Sequence, residues 1–316
     1  MTSNGTVLRA RDRIFPLGAR TYIMAILNLT SDSFSGDGIG ADLDAAVRHA
    51  AAAVADGADI IDVGAESARA DVPARAPGEE AELVGEAIRR ISAETGAIVS
   101  VDTYKGAVAD AALEAGAHIV NDIGGFKIDA STTRAAAKHG AALVINYTYE
   151  RPKVRPVEPP RYDDLIAEHL ALLKEQIAVA ERAGLAPDAV IVDPGIAFGK
   201  SHDEDLQVLR RLREFTSLGR PVLVAASRKH FIGSVTGLPP SARDIATVAV
   251  TALAIAAGAD IVRVHDVRAN VEAARIADAI VRSAPGDYAA TGESWPWASS
   301  AQPIAGTTIQ PHEPKT

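Results

Sequence analysis

Short, nearly continuous apolar runs recur along the chain, at residues 22–27, 59–63, 97–101, 118–120, 142–145, 189–192, 222–225 and 260–264. Each is too short for a helix of its own and shows no apolar/polar alternation, the pattern of a strand buried on both faces. Between them lie Ala-, Leu- and Glu-rich stretches of helical period, among them 42–55, 79–94, 105–114 and 162–183. A Gly-Ala pair precedes four of the runs, at 57, 116, 140 and 258. Glycine there ends a helix in the left-handed conformation and returns the chain to the sheet. Eight strands alternating with helices over residues 21–282 predict an α/β fold, a single-domain (β/α)8 TIM barrel. The rival is an open doubly wound sheet, but no Gly-x-Gly-x-x-Gly follows the first strand.

Residues 1–20 read as an N-terminal lead-in. Residues 283–316, rich in Pro, Gly, Ser, Thr and Ala, read as a flexible C-terminal extension that carries both tryptophans, Trp295 and Trp297. Composition narrows the partners. With 41 acidic against 32 basic side chains and a net charge of −9, the chain is a poor match for nucleic acid or an anionic membrane surface, which want clustered cations. A small anionic ligand needs only a few cations and is not excluded. Cysteine is absent, which removes disulfides, thiol nucleophiles and Cys-ligated metals and agrees with a reducing, cytoplasmic setting. The first 18 residues carry Arg9, Arg11, Asp12 and Arg13 without an apolar block, so no signal peptide is expected. The most apolar stretch, 246–258, is too short for a bilayer.

The chemistry gathers at the strand ends. Asn28 ends the first run, Asp62 lies in the second, Asp102 follows the third and Asn121 the fourth. Asn146, Asp193, Ser227-Arg228-Lys229 and Arg263-Val264-His265 mark the other four. Any one of these could simply tie down a loop. Eight together, delivered to the C-terminal mouth of a barrel, predict an active site. Arg263 and His265 are two apart on a strand and face the same way. With Lys229 and Arg69 they suit an anionic, phosphate-like group. Asn28 offers a neutral oxygen suited to Mg2+ bridged by substrate rather than caged by protein. Asp102, Asp193 and Asn121 match the N–H and amino groups of a flat nitrogen heterocycle. On residues alone, Lys229 could equally be a Schiff-base lysine.

The motifs 26–35 (ILNLTSDSFS), 61–67 (IDVGAES), 100–105 (SVDTYK), 121–123 (NDI), 193–200 (DPGIAFGK), 227–229 (SRK) and 263–267 (RVHDV) stand in the order of one family. Through them the chain resembles the dihydropteroate synthases over the whole predicted barrel. The resemblance implies a transferase that joins the methylene of 6-hydroxymethyl-7,8-dihydropterin diphosphate to the amine of 4-aminobenzoate and releases pyrophosphate. By the same resemblance, Asp102, Asn121, Asp193, Phe198 and Lys229 hold the pterin. Asn28, through Mg2+, holds the diphosphate with Arg69, Arg263 and His265. Asp102, Lys229, Arg263 and His265 are the expected catalytic set, and a homodimer is implied.

The chain departs from the family on one side of the reaction. Where the family usually reads Glu-Ser-Thr-Arg-Pro-Gly, residues 66–71 read Glu-Ser-Ala-Arg-Ala-Asp. Ser31 replaces a usual Pro although Phe34 remains, His230 replaces the Ser that follows Lys229, and Met-His-Met becomes Ile145-Asn146-Tyr147. Phe34, Ala68, Ala70, Tyr147 and His230 thus mark a rewritten arylamine pocket, with weaker sulfonamide sensitivity as the expected consequence and neutral drift as the plainer explanation. Three other readings compete: a pterin-dependent methyltransferase domain, a non-catalytic pterin-binding paralogue, and a Schiff-base aldolase.

Overall fold

The computed structural model describes residues 7–30, 38–67, 72–128, 130–152, 154 and 160–283. The chain opens with a hairpin, β1 (Val7–Ala10) and β2 (Arg13–Pro16), and then enters the barrel at β3 (Tyr22–Asn28). There follow α1 (Leu43–Ala55), β4 (Ile60–Gly64), α2 (Pro77–Thr95), β5 (Ile98–Asp102), α3 (Gly106–Glu114), β6 (Ile119–Asp122), α4 (Ser131–His139) and β7 (Ala142–Asn146). The second half runs α5 (Leu165–Arg182), β8 (Val190–Asp193), α6 (His202–Arg210), β9 (Leu223–Val224), α7 (His230–Thr236), α8 (Asp244–Ala256), β10 (Ile261–Val264) and α9 (Val267–Val281).

Strands β3 to β10 form one parallel sheet of eight, in the order β8-β7-β6-β5-β4-β3-β10-β9. Its two ends meet: Val192 on β8 bridges Val222, and the Val192 N–H donates to the Pro221 carbonyl at 3.0 Å. The sheet is therefore a (β/α)8 barrel, and all eight apolar runs became its strands. Helices outside it start where the sequence supplies caps. Asp42 accepts from the Ala45 N–H and Asp266 from the Ala269 N–H, while Ser201 and Glu204 form a reciprocal capping box on α6. The Gly-Ala signal holds at Gly57, which takes φ 103° where its missing Cβ keeps clear of Val271. No described helix is long and apolar enough to cross a membrane.

The hairpin is an element the sequence reading did not assign. Its two-residue connection lacks the Asn-Gly or Asp-Gly signature. Arg11 occupies it at φ 58°, held by its own N–H on the Gly140 carbonyl and by its guanidinium on the Leu113 and Ala117 carbonyls, each at 2.8 Å. Leu8, Ala10 and Phe15 join a buried cluster with Tyr22, Met24, Ile60, Ile119, Val144, Ile191, Leu223 and Ile261. Phe15 meets Tyr22 edge to face at 5.1 Å. The hairpin thus seals the N-terminal end of the barrel with apolar side chains.

Candidate active site

The interior is phased. Met24, Ile60, Val144, Ile191, Leu223 and Ile261 lie in the apolar cluster, and side chains two residues on point the same way. Two residues beyond Ile60, Ile119, Val144, Ile191 and Ile261 stand Asp62, Asn121, Asn146, Asp193 and Arg263. One step of the strand period converts a hydrophobic plug into a polar floor.

Arg263 organises half of that floor. Its Nε donates to Asp62 Oδ2 at 2.6 Å and its Nη2 to Asp102 Oδ2 at 2.7 Å, so one planar guanidinium joins β10 to β4 and β5. Asn121 Nδ2 donates to the same Asp62 oxygen at 3.0 Å. Asp62 is fully buried, and its Oδ1 has no partner among the described residues. Burial pushes the Asp102 carboxyl up to about 7; Arg263 opposes this, while the nearby Asp62 and Glu80 reinforce it.

Lys229 organises the other half. Its Nζ donates to the Ile196 carbonyl at 2.6 Å and sits 4.9 Å from the centre of the Phe198 ring. Burial pulls it down to about 8 although Asp193 and Asp205 favour its charge. Asp193, at the end of β8, accepts the Gly195 N–H at 2.7 Å, and burial pushes its carboxyl up. Gly195 is at φ 71°, and a Cβ there would lie 1.9 Å from the Tyr147 carbonyl oxygen, so only glycine fits. The halves feel each other: Arg263 depresses Lys229, and Asp193 favours Arg263.

At the next strand ends, the Ser227 hydroxyl accepts the His265 N–H at 3.2 Å and lies 2.8 Å from His265 Nδ1. A hydroxyl that accepts from the backbone has its own proton for Nδ1, which favours the tautomer with hydrogen on Nε2. Asn28 ends β3, half-buried. Arg228 turns away instead, paired with Asp244 at 2.7 and 2.9 Å.

The expected arylamine residues are scattered. Tyr147 is buried, its ring stacked on His169 at 3.4 Å with Lys200 Nζ 4.6 Å from its centre. His230 is exposed at the first residue of α7. Phe34, Ala68, Arg69 and Ala70 lie outside the described residues, as do Trp295 and Trp297. Asp62 stood among the strand-end polar residues expected at the mouth but carried no assigned role, and Lys200 and Asp205 were missing from the expected site. The pairing of Asp62 was legible too: an acid inside an apolar strand run has to be paired.

One group of described residues could hold a metal, Asp110, Glu114 and His139, whose ligand atoms lie within 4.8 Å of one another. It stands on α3 and α4, outside the barrel, and Lys138 already pairs with Asp110 at 2.8 Å and Glu114 at 3.6 Å.

A barrel with acids, an arginine and a lysine at the C-terminal ends of its strands is an enzyme scaffold, and comparison with known proteins narrows the class. The family model described as pterin binding enzyme matches residues 24–265. The dihydropteroate synthase of Bacillus subtilis (strain 168) is 43% identical over 262 residues, which cover 83% of this chain and 89% of the relative. Among solved structures, Yersinia pestis dihydropteroate synthase with a sulfonamide drug complex superposes with a TM-score of 0.81 at 36% identity, covering 87% of this chain and 98% of the other. The Thermus thermophilus dihydropteroate synthase in complex with 4-aminobenzoate gives a TM-score of 0.76 at 37% identity, over 87% and 99%. The chain belongs to the pterin binding enzymes and, among them, to the dihydropteroate synthases.

Proposed function

We propose that the mouth joins 6-hydroxymethyl-7,8-dihydropterin diphosphate to 4-aminobenzoate. The bond between the pterin methylene and the diphosphate oxygen breaks with its electron pair leaving on pyrophosphate. The arylamine lone pair forms the new carbon–nitrogen bond, and the amine gives up a proton to solvent. The observation that carries this reading is the charge layout. Carboxylates on β4, β5 and β8 face Arg263 and Lys229 across one floor. Anionic acceptors suit the N–H and amino edge of a pterin, and cations suit the growing charge of the leaving group.

On this reading Asp102, Asn121, Asp193 and Lys229 bind the pterin ring, with Phe198 against its face. The Asp102 carboxylate stabilises positive charge on the methylene as the leaving bond stretches. Arg263, the Nε2–H of His265 and Arg69 receive the diphosphate. Asn28 is a hard, neutral oxygen donor at a strand end, the kind of single protein ligand that suits Mg2+ shared with phosphate and water. When bound, Mg2+ neutralises charge on the departing pyrophosphate. No covalent adduct is required, so Lys229 serves as a hydrogen-bond donor and charge.

Beside this site His230, next to Lys229, replaces a hydroxyl by an imidazole that binds the 4-aminobenzoate carboxylate best when protonated. We assign to it, with Ala68 and Ala70, a changed arylamine preference and weakened sulfonamide binding. On α8 and α9, Ile245, Leu253, Ile276 and Ile280 are 66 to 89% exposed. Large apolar side chains at helical spacing on two packed helices are the face a second copy of the chain would cover. The absence of cysteine supports a cytoplasmic setting.

The test is a coupled assay of purified protein with the pterin diphosphate, Mg2+ and 4-aminobenzoate. Dihydropteroate and pyrophosphate are expected in equal amounts. Tight binding of the pterin diphosphate without pyrophosphate release would leave the non-catalytic paralogue in its place.

A further inference from the structure

A buried acid at the mouth is not used by the assignments above. Asp205 lies in the first turn of α6, where acids complement the helix dipole from the surface, as the exposed Asp203 does. Asp205 is only 1% exposed, and its Oδ1 accepts the Ala197 N–H at 2.8 Å. Ala197 is at φ 66°, a left-handed conformation that costs an alanine about 1 kcal/mol and persists only where its surroundings enforce it.

The turn at Ala197 is what the connection between β8 and α6 needs. It lets the Ile196 carbonyl accept Lys229 Nζ at 2.6 Å and the Phe198 N–H close onto the Gly195 carbonyl at 3.1 Å, with the Phe198 ring beside Lys229. Lys200 Nζ donates to the Gly195 carbonyl of the same connection. Two ammonium groups and two buried carboxylates, Asp193 and Asp205, therefore enclose a few residues of backbone.

We propose that Asp205 is a positioning residue for Lys229: from α6 it pins the 194–200 connection in the turn that presents Ile196 and Phe198 to Lys229, and it supplies the negative charge that offsets the two lysines. This rests on the reading of the mouth as a pterin-transfer site.

The charges around Lys229 come from every side: Asp193 at the end of β8, Asp205 on α6, Asp102 on β5, Arg263 on β10 and Lys200 in the connection itself. Burial draws Lys229 down to about 8 and Lys200 to about 7, and Asp205 opposes both shifts. Burial also raises the Asp205 carboxyl, while the Ala197 N–H and the lysines hold it down. Removing the Asp205 charge therefore moves Lys229 lower still, toward losing its proton at the pH where it must act.

Two variants separate geometry from charge. Asp205→Asn keeps an oxygen for the Ala197 N–H and removes the charge; Asp205→Ala removes both. Competitive acetylation of lysines from about pH 6 to 10, with the Lys229 peptide followed by mass spectrometry, reads the Lys229 pKa without requiring turnover. In Asp205→Asn that midpoint is expected to fall by about half a unit or more, with the basic limb of kcat/KM falling alongside it. In Asp205→Ala the same fall is expected together with a rise of about tenfold in KM for the pterin diphosphate. An unmoved Lys229 midpoint in Asp205→Asn overturns the proposal, and so does an unchanged KM in Asp205→Ala. If Asp205→Ala does not fold, Asp205→Asn still decides. Should the parent protein make no dihydropteroate, the functional reading falls, while the acetylation profile still tests the Asp205 charge.

Discussion

The two ends of the barrel are built from the same strands, a few residues apart, and they obey opposite rules. At the N-terminal end the hairpin residues Leu8 and Phe15 close over Met24, Ile60 and Ile261 with apolar contact alone. At the C-terminal end Asp62, Asp102, Asp193, Lys229 and Arg263 are drawn away from bulk water and set against one another. The first arrangement lowers the free energy of folding with every group buried. The second is costly, because desolvation of each charge is only partly returned by its partners. Stability resides at the bottom and chemistry at the top.

Arg263→Ala should separate the ends most sharply. The variant strips Asp62 and Asp102 of the guanidinium that pairs them, an expected loss of about 3–5 kcal/mol in stability and of about 10³-fold or more in kcat/KM. Urea unfolding should show the stability deficit shrinking as pH falls, since protonating Asp102 removes one unpaired charge. A deficit independent of pH would mean that packing, not charge, is what Arg263 supplies. Phe15→Ala is the counterpart at the other end. It should cost about 3–4 kcal/mol by the same unfolding measurement yet leave kcat/KM within about twofold for the folded fraction. A comparable fall in turnover would mean the two ends are coupled.

Titration sharpens the contrast further. The free enzyme's kcat/KM should be bell-shaped, with an acid limb near the Asp102 value of about 7 and a basic limb near the Lys229 value of about 8. The same shifts carry opposite signs in stability. A carboxyl raised on folding binds protons more tightly in the native state, so the Asp102 contribution falls as pH climbs from about 4 to 7. A lysine lowered on folding releases its proton earlier in the native state, so stability recovers between about pH 8 and 10. Lys229→Met should reduce that recovery to the share contributed by Lys200, which burial draws down to about 7, and remove the basic limb together with its own share. Losing one without the other would assign the limb to a different group.

Reading the sequence found the strands because a parallel strand buried on both faces reads as a nearly continuous apolar run. Arg263 and His265 followed from strand period, and Asp102, Asn121 and Asp193 from their place at strand ends. What stayed hidden depends on contacts between distant segments. The hairpin has strands of four residues and a turn held by Arg11 contacts to residues about a hundred positions away. Asp205 sits where an acid is ordinary for a helix start, so nothing in the sequence marks it as buried. The stacking of Tyr147 on His169 joins the residue just after β7 to α5, and neither residue stands in a motif with the other.

His230→Ser is expected to give the smallest effect and bears on the top of the barrel alone. His230 is exposed at the start of α7, next to Lys229 in sequence, so its exchange should leave stability within about 0.5 kcal/mol. An imidazole and a serine hydroxyl present different hydrogen-bond donors to a carboxylate. KM for 4-aminobenzoate should therefore differ a few-fold between the parent protein and the variant. KM for the pterin diphosphate should not move. Sulfamethoxazole, which presents no carboxylate, should gain a few-fold in affinity if the serine restores its binding side. If instead both substrates' KM values shift together, His230 acts through its neighbour Lys229, and the arylamine and pterin halves of the mouth are not separable at this residue.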